Sequence, residues 1–200
     1  MKKYPWILAA ILLCAGCVTN FKASEYDKPA NFKIERNAHI VNAIEAEGFT
    51  ALAATSKFGV EPNDSMTSAI DASVKSILAA NNPFNAISIE HDEAAAIVED
   101  DLYIILILDK LKSYINVSRN RSVYELNGTF IIADGAGNVY SSKPYIISEE
   151  SAIGTLQSAQ DEAVKALIDA FFTVLARTDF SKPLEDEDNE YILGLIKSNL

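Results

Sequence analysis

Acid–base and metal-binding side chains are few in this 200-residue sequence. Its two histidines, His39 and His91, are far apart, and His91 lies in a charged run at residues 90–93, followed by acids at residues 99–101. Imidazole and carboxylate groups together can hold a divalent ion. Consecutive residues point in different directions on a strand or a helix, however. We therefore interpret the run as a solvated connection, and we predict neither a metal nor a cofactor.

Nucleophilic catalysis has equally little support. No serine stands in a recognisable nucleophile-elbow motif, and the two cysteines, Cys14 and Cys17, both lie close to the N-terminus. An enzyme would need a fold that brings His39 or His91 beside a carboxylate. The sequence therefore favours a protein that is not an enzyme and has no catalytic residue.

The segment at residues 134–138 reads Asp-Gly-Ala-Gly-Asn and invites a calcium or phosphate interpretation. It lacks the twelve-residue loop of an EF-hand and the Lys-Ser/Thr pair of a P-loop. Asp, Asn and two glycines are the residues that a tight turn requires, because they tolerate positive φ. We predict a turn here and no ion site.

The N-terminus predicts export. Lys2 and Lys3 precede an apolar run at residues 7–15, which is too short for a bilayer span of about twenty residues and fits a signal peptide over residues 1–16. Its end, Leu-Cys-Ala-Gly-Cys at residues 13–17, resembles the bacterial lipobox, in which small residues precede a lipidated cysteine. The sequence departs from the usual pattern at Cys14, where the family has leucine.

This resemblance implies a mature protein that begins at Cys17 and carries acyl chains such as palmitate there. Two or three chains hold a protein at a bilayer effectively permanently. Val18 stands where the family's inner-membrane retention signal has aspartate, which implies the outer membrane, facing the periplasm. We interpret residues 17–36 as a lipidated tether and residues 37–200 as one globular domain, which is long enough to bury a core without disulfides.

The net charge excludes some partners. The whole chain carries −11, and removal of Lys2 and Lys3 leaves 15 basic against 28 acidic residues, a net charge of −13. Nucleic acid and anionic lipid surfaces both require a basic binding surface. We therefore predict no nucleic-acid partner; the membrane contact is through the lipid anchor.

Apolar spacing predicts the elements of the domain. A helix begins at Asp64, a buried strand occupies residues 102–108, and alternating strands around the turn at residues 134–138 form a hairpin. Shorter strands are expected at residues 49–55 and 84–90. Because Pro144 cannot donate a ladder hydrogen bond, the second hairpin strand is expected at a sheet edge.

Helical spacing returns in the last third of the chain. A wide apolar stripe runs through residues 151–178, and a short C-terminal helix follows the acidic run at residues 185–190. These elements predict an α+β fold, with a mainly antiparallel sheet, two longer amphipathic helices packed on one face, and the short C-terminal helix.

The order of these features is similar to that of small envelope lipoproteins, the auxiliary subunits of ABC-type transport or outer-membrane assembly systems; penicillin-binding-protein activator lipoproteins have a comparable order. The features are the lipobox at Cys17, the helix from Asp64, the strand at residues 102–108, the hairpin and the helix from Gln157. The resemblance implies a non-catalytic accessory protein that docks to an envelope protein partner.

Three hypotheses follow. A docking protein would present a sheet edge to its partner, and the candidate edge residues are Tyr140, Lys143 and Tyr145. The alternative is a periplasm-facing carrier that binds a lipid or a small apolar ligand between helix and sheet. Its cavity would be lined by the aromatic side chains Phe130, Phe171 and Phe172. The third hypothesis, an enzyme, requires the histidine–carboxylate pair described above.

Overall fold

The computed structural model describes residues 30–43, 57–60, 64–89, 96–116, 119–152, 156–185 and 189–199. Within these ranges the fold is α+β, as the sequence predicts. The six strands are β1 (Ala38–Ala43), β2 (Lys57–Val60), β3 (Ile87–Ser88), β4 (Leu102–Asn116), β5 (Arg121–Asp134) and β6 (Val139–Ala152). The three helices are α1 (Asp64–Ala80), α2 (Leu156–Arg177) and α3 (Asn189–Asn199). The strand expected at residues 49–55 lies outside the described residues.

The strands form one sheet in the order β3-β1-β4-β5-β6, and β2 pairs with the far end of β4. The pairs β4–β5, β5–β6 and β2–β4 are antiparallel, but β1 runs parallel to both β3 and β4. The prediction of a mainly antiparallel sheet is therefore wrong, because the sheet is mixed. Parallel neighbours need a long crossover, and the segment between β1 and β4, which contains α1, supplies it.

Helices cover both faces of the sheet. Helices α1 and α2 pack on one face, where Ile70 and Leu167 join a core with Ile104 and Phe130. Helix α3 packs on the opposite face, where its buried Ile192 meets other apolar side chains of the sheet. Each fully buried aliphatic side chain contributes about 1.5–3 kcal/mol, so both faces contribute to the stability of the sheet. Among the described residues, no helix has both the length and the apolar character needed to cross a bilayer.

The predicted turn between β5 and β6 is confirmed. The buried Asp134 carboxylate accepts the backbone N–H groups of Ala136 and Asn138 at 3.0 and 2.9 Å and the Tyr140 hydroxyl at 2.8 Å. Gly137 has φ +86°, a conformation that favours glycine. The carboxylate is thus used in holding the turn.

Close packing in the centre of the sheet depends on Gly128. The Tyr145 side chain of β6 reaches beneath β5 and donates its hydroxyl proton to the Ile107 carbonyl oxygen of β4 at 2.8 Å. A Cβ atom at position 128 would collide with that carbonyl oxygen and with the Tyr145 ring. The absence of a side chain at Gly128 therefore leaves room for Tyr145 of β6 to pass β5 and bond to β4.

Buried tyrosines make the fold sensitive to alkaline pH. Burial, followed by the hydrogen bond and charge of Glu125, raises the pKa of Tyr114 to about 12, and burial also raises the pKa values of Tyr124 and Tyr145. In the unfolded chain a tyrosine ionises near pH 10, so the folded state binds more protons above that pH. The contribution of these tyrosines to the free energy of unfolding is then expected to be constant up to about pH 10 and to fall above it, by up to roughly 1.4 kcal/mol per pH unit for each tyrosine.

Urea denaturation of the protein at a series of pH values from 9 to 12 measures this dependence. The variant carrying both Tyr124→Phe and Tyr145→Phe is expected to lose stability less steeply over the same range. An equal slope in both proteins would show that these two hydroxyls do not cause the decline.

Candidate functional site

Strand β6 lies at an edge of the sheet, as Pro144 predicts, and no strand of the described residues pairs with its outer side. A groove of about 280 Å³ lies beside this edge. We call it the β6 groove, and its lining includes Tyr140, Lys143, Val174, Arg177, Asp179 and Leu184. Its volume is close to the lower limit of typical small ligand pockets, and a concave surface of this size also suits a few side chains of a partner protein.

The chain that follows α2 shapes one end of the groove. The Thr178 hydroxyl donates to the Val174 carbonyl oxygen at 2.8 Å and closes the last turn of the helix. The Phe180 ring then packs against the Tyr140 ring, with 5.7 Å between centroids. Further on, the Leu184 N–H donates to the Val139 carbonyl oxygen at 2.7 Å. The chain therefore turns back from the helix end and joins the start of β6.

Two cations dominate the charge of the β6 groove. Lys143 and Arg177 are both exposed, and in the described part of the chain neither forms an ion pair. Asp179 stays negatively charged, because the Ser181 hydroxyl and N–H donate to its carboxylate at 2.6 and 3.0 Å and lower its pKa. The two cations outweigh this one acid, so the lining of the groove is net positive in a protein whose net charge is −11.

The three residues predicted to form the docking edge differ in their exposure and in their contacts. Lys143 is exposed and lines the groove. Tyr140 also lines it, but its hydroxyl is bonded to Asp134 and its ring lies under the Arg36 guanidinium at 5.4 Å. Tyr145 is buried at 6% exposure, with its hydroxyl bonded to Ile107, so it is not available to a partner.

Sequence reasoning missed Val174, Arg177 and Leu184. They lie more than twenty-five residues from the centre of β6 along the chain and meet it only because α2 packs over the sheet and the following segment returns to β6. A basic residue in the last turn of a helix is typical of helix termini, so Arg177 gave no separate signal in the sequence.

The cavity expected of a carrier is very small. Phe130 and Phe171 line a space of about 10 Å³ between α1, α2 and the sheet, together with aliphatic side chains. Phe172 instead packs edge-on against Phe32, with 6.1 Å between ring centroids. A space of this volume holds about one water molecule. It therefore leaves no room for a lipid or another small apolar ligand.

His39 does lie beside a carboxylate. Its Nε2 atom is 2.9 Å from Oδ2 of Asp101, and the Asn37 side-chain amide donates to Oδ1 of the same residue at 3.1 Å. The parallel pairing of β1 with β4 places His39 opposite Tyr103, and the two rings stack with 4.8 Å between centroids. The polar contacts of the Asp101 side chain thus join the start of β4 to β1. We interpret the pair as a structural link between the two strands.

Replacing Asp101 with alanine is expected to lower the free energy of unfolding by about 1–3 kcal/mol, because Asn37 and the half-buried His39 lose their partner. The matched control is Asp100→Ala, since the adjacent Asp100 side chain is exposed and the hydrogen bond from Arg36 goes to its backbone carbonyl, which the substitution keeps. That control is expected to change stability by less than about 0.5 kcal/mol. Equal losses in the two variants, measured by urea denaturation, would contradict the interpretation.

The acidic runs do not form a metal site in the residues that the structure describes. No group of three or more His, Cys, Asp or Glu side chains there could hold a metal ion. Asp101 is bonded to His39, and the Glu99 and Asp100 side chains are exposed. His91 and the remainder of residues 90–93 lie outside the described ranges, so the interpretation of that run stays a prediction.

Comparisons with known proteins give a distant similarity in shape. No protein-family model and no curated protein matches the chain. One similar crystal structure is that of an uncharacterized protein, with a TM-score of 0.41, 7% identity, and coverage of 77% of this chain and 99% of that chain. Another is a Helicobacter pylori protein described as a homolog of the neuraminyllactose-binding hemagglutinin, with a TM-score of 0.44, 9% identity, and coverage of 76% and 92%. At these values neither structure indicates what this chain binds.

Proposed function

We propose that this protein is a lipid-anchored, non-catalytic accessory protein of the bacterial cell envelope that docks a partner protein at the β6 groove. The observation that carries the proposal is the groove itself, which lies beside an open sheet edge and presents two cations without ion-pair partners among the described residues. A sheet edge offers backbone groups for pairing, and a groove beside it offers pockets for side chains.

The anchor would hold this groove near a membrane. Cys17 is thirteen residues before Ala30, the first described residue, and a chain of that length spans at most about 45 Å. The described chain begins against α2, because Phe32 packs on Phe172, which directly precedes the groove-lining Thr173. The start of the described chain and the groove therefore share the C-terminal half of α2. This favours a partner that is itself at the membrane. We propose that this membrane is the outer membrane and that the partner lies on its periplasmic side.

Neither alternative function gains comparable support. The space between α1, α2 and the sheet is about 10 Å³, far below the volume of a lipid or drug-sized ligand. The His39–Asp101 pair satisfies the first requirement of an enzyme. The side chains that bond Asp101 are those of His39 on β1 and Asn37 just before it, however, and Asp101 itself directly precedes β4. In the described residues the His39 side chain has no hydrogen-bond partner other than Asp101.

Filling the groove tests the proposal. The Thr173→Trp variant of the full chain places a large ring in the β6 groove from an exposed position on α2. The matched control is Ser76→Trp, at an exposed position on α1. After affinity purification from detergent-solubilised membranes, quantitative mass spectrometry is expected to recover the partner with wild type and Ser76→Trp but not with Thr173→Trp. Equal recovery with both tryptophan variants would reject docking at this groove.

A further inference from the structure

We infer that the β6 groove binds a short, extended, acidic peptide segment of the partner, whose carboxylate lies between Lys143 and Arg177. The inference rests on the docking function proposed above and specifies what the groove recognises. Both cations line the groove, and neither is neutralised by an ion pair with a described residue. An arginine guanidinium binds a carboxylate through two parallel hydrogen bonds, and a lysine ammonium adds a third donor group.

The negative net charge of the protein does not prevent such binding. Charges farther than about 8 Å from the groove are largely screened at physiological ionic strength, so the groove's own side chains dominate. Asp179 also lines the groove and keeps its negative charge, because the hydrogen bonds from the Ser181 hydroxyl and N–H stabilise the ionised carboxylate. Lys143 and Arg177 together outweigh this one charge, so the lining of the groove is net positive.

The extended conformation follows from the edge strand. The Leu184 N–H already donates to the Val139 carbonyl oxygen, which shows that β6 can accept a backbone hydrogen bond on the side away from β5. Pro144 has no N–H to offer, so continuous pairing from that end of β6 stops there. The part of β6 that can pair beside the groove is therefore only a few residues long. It suits a short extended peptide better than a strand that pairs along the full length of β6.

An apolar residue beside the acid is also expected. Val174 and Leu184 line the same groove, and Leu184 is 45% exposed. Side chains of a bound strand alternate in direction, so an acidic residue and an apolar residue on the same face stand two positions apart. An anionic lipid surface fits less well, because it is flat and would face the full net charge of the domain, whereas the groove is concave.

The test uses the full-length lipidated chain in detergent and a fluorescently labelled synthetic peptide with capped ends. In this peptide every second residue is threonine, and the residues between the threonines are glutamate and valine in turn. Fluorescence anisotropy is expected to show saturable binding that Lys143→Glu and Arg177→Glu each weaken by about tenfold or more. The matched control, Lys197→Glu, makes the same charge change at an exposed position on α3 and is expected to bind like wild type. Replacing glutamate by glutamine in the peptide is expected to weaken binding by a similar factor.

Three results would overturn the inference. One is equal affinity for the glutamate and glutamine peptides, and another is an equal loss of affinity in Lys197→Glu and Lys143→Glu. The third is binding to phosphatidylglycerol vesicles, blocked by Lys143→Glu, without binding to the peptide, which would assign the groove to a lipid surface. If Thr173→Trp abolishes partner recovery while peptide charge has no effect, docking stands and the acidic-peptide inference falls.

Discussion

Replacing Cys17 with serine is expected to abolish acylation and to release the protein from the membrane fraction. In the lipoprotein that we propose, this sulfur is the attachment point, and each buried methylene of an acyl chain contributes about 0.8 kcal/mol to membrane binding. When two or three chains are lost at once, the net charge of −11 opposes binding to an anionic lipid surface and does not replace them. Labelling cells with a fatty-acid analogue, followed by purification and membrane fractionation, measures both effects.

The neighbouring cysteine provides the matched control. Cys14 lies within the proposed signal peptide, so Cys14→Ser removes a sulfur without removing the acylation site. This variant is expected to keep the fatty-acid label and the membrane location. Label that travels with Cys17→Ser as strongly as with wild type would show that the protein is not lipidated at this position.

Replacing Gly128 with alanine is expected to cost about 3 kcal/mol of folding stability or more. The added methyl group would meet the Ile107 carbonyl oxygen, which is backbone, and the Tyr145 ring, which is buried. Neither group can move without disturbing the pairing of β4, β5 and β6, and overpacking of this kind commonly costs 1–3 kcal/mol, occasionally more. A domain of this size is typically stable by only 5–15 kcal/mol, so the loss should be plain in urea denaturation.

A second glycine shows that the effect depends on position. Gly194 lies in α3, and a Cβ atom there would meet nothing within 4 Å. Gly194→Ala is therefore expected to stabilise the protein by roughly 0.5–1 kcal/mol, because alanine favours the helix more than glycine does. If both alanine variants shift the urea midpoint in the same direction, the packing account of Gly128 is wrong.

Local chemistry explains which elements could be predicted from the sequence. The hairpin around Asp134 was predictable because alternating side chains flank turn residues. Helix α1 was predictable because its apolar residues recur at helical spacing after Asp64. The edge position of β6 followed from Pro144, whose missing N–H depends on no distant contact.

The features that the sequence did not predict depend on distant pairing. Strand β1 has six residues, and its parallel partners β3 and β4 come more than forty residues later, so nothing local marks its direction. The face on which α3 packs is equally hidden, because its apolar stripe would suit either side of the sheet. Short periodic segments predict that a face is buried, but they do not identify the partner that buries it.

The candidate site was predicted in part for the same reason. Lys143 and Tyr140 could be named because the edge strand could be predicted, and both line the groove. Tyr145 could not be distinguished from them, since its burial depends on the space left by Gly128 on the neighbouring strand. Arg177 joins the site only through the packing of α2 against β6, which no spacing along the chain reveals.

Site-specific photocrosslinking in intact cells tests docking at the β6 groove most directly. A photoreactive phenylalanine derivative replaces Leu184, an exposed apolar residue of the groove that leaves both cations in place, or, as the matched control, Tyr191, an exposed residue on α3. We expect a discrete crosslinked product with an envelope protein from position 184 and none above background from position 191. Crosslinking to the same protein with equal yield from both positions, or none from position 184, would contradict the proposal that this protein works by docking a partner at the groove.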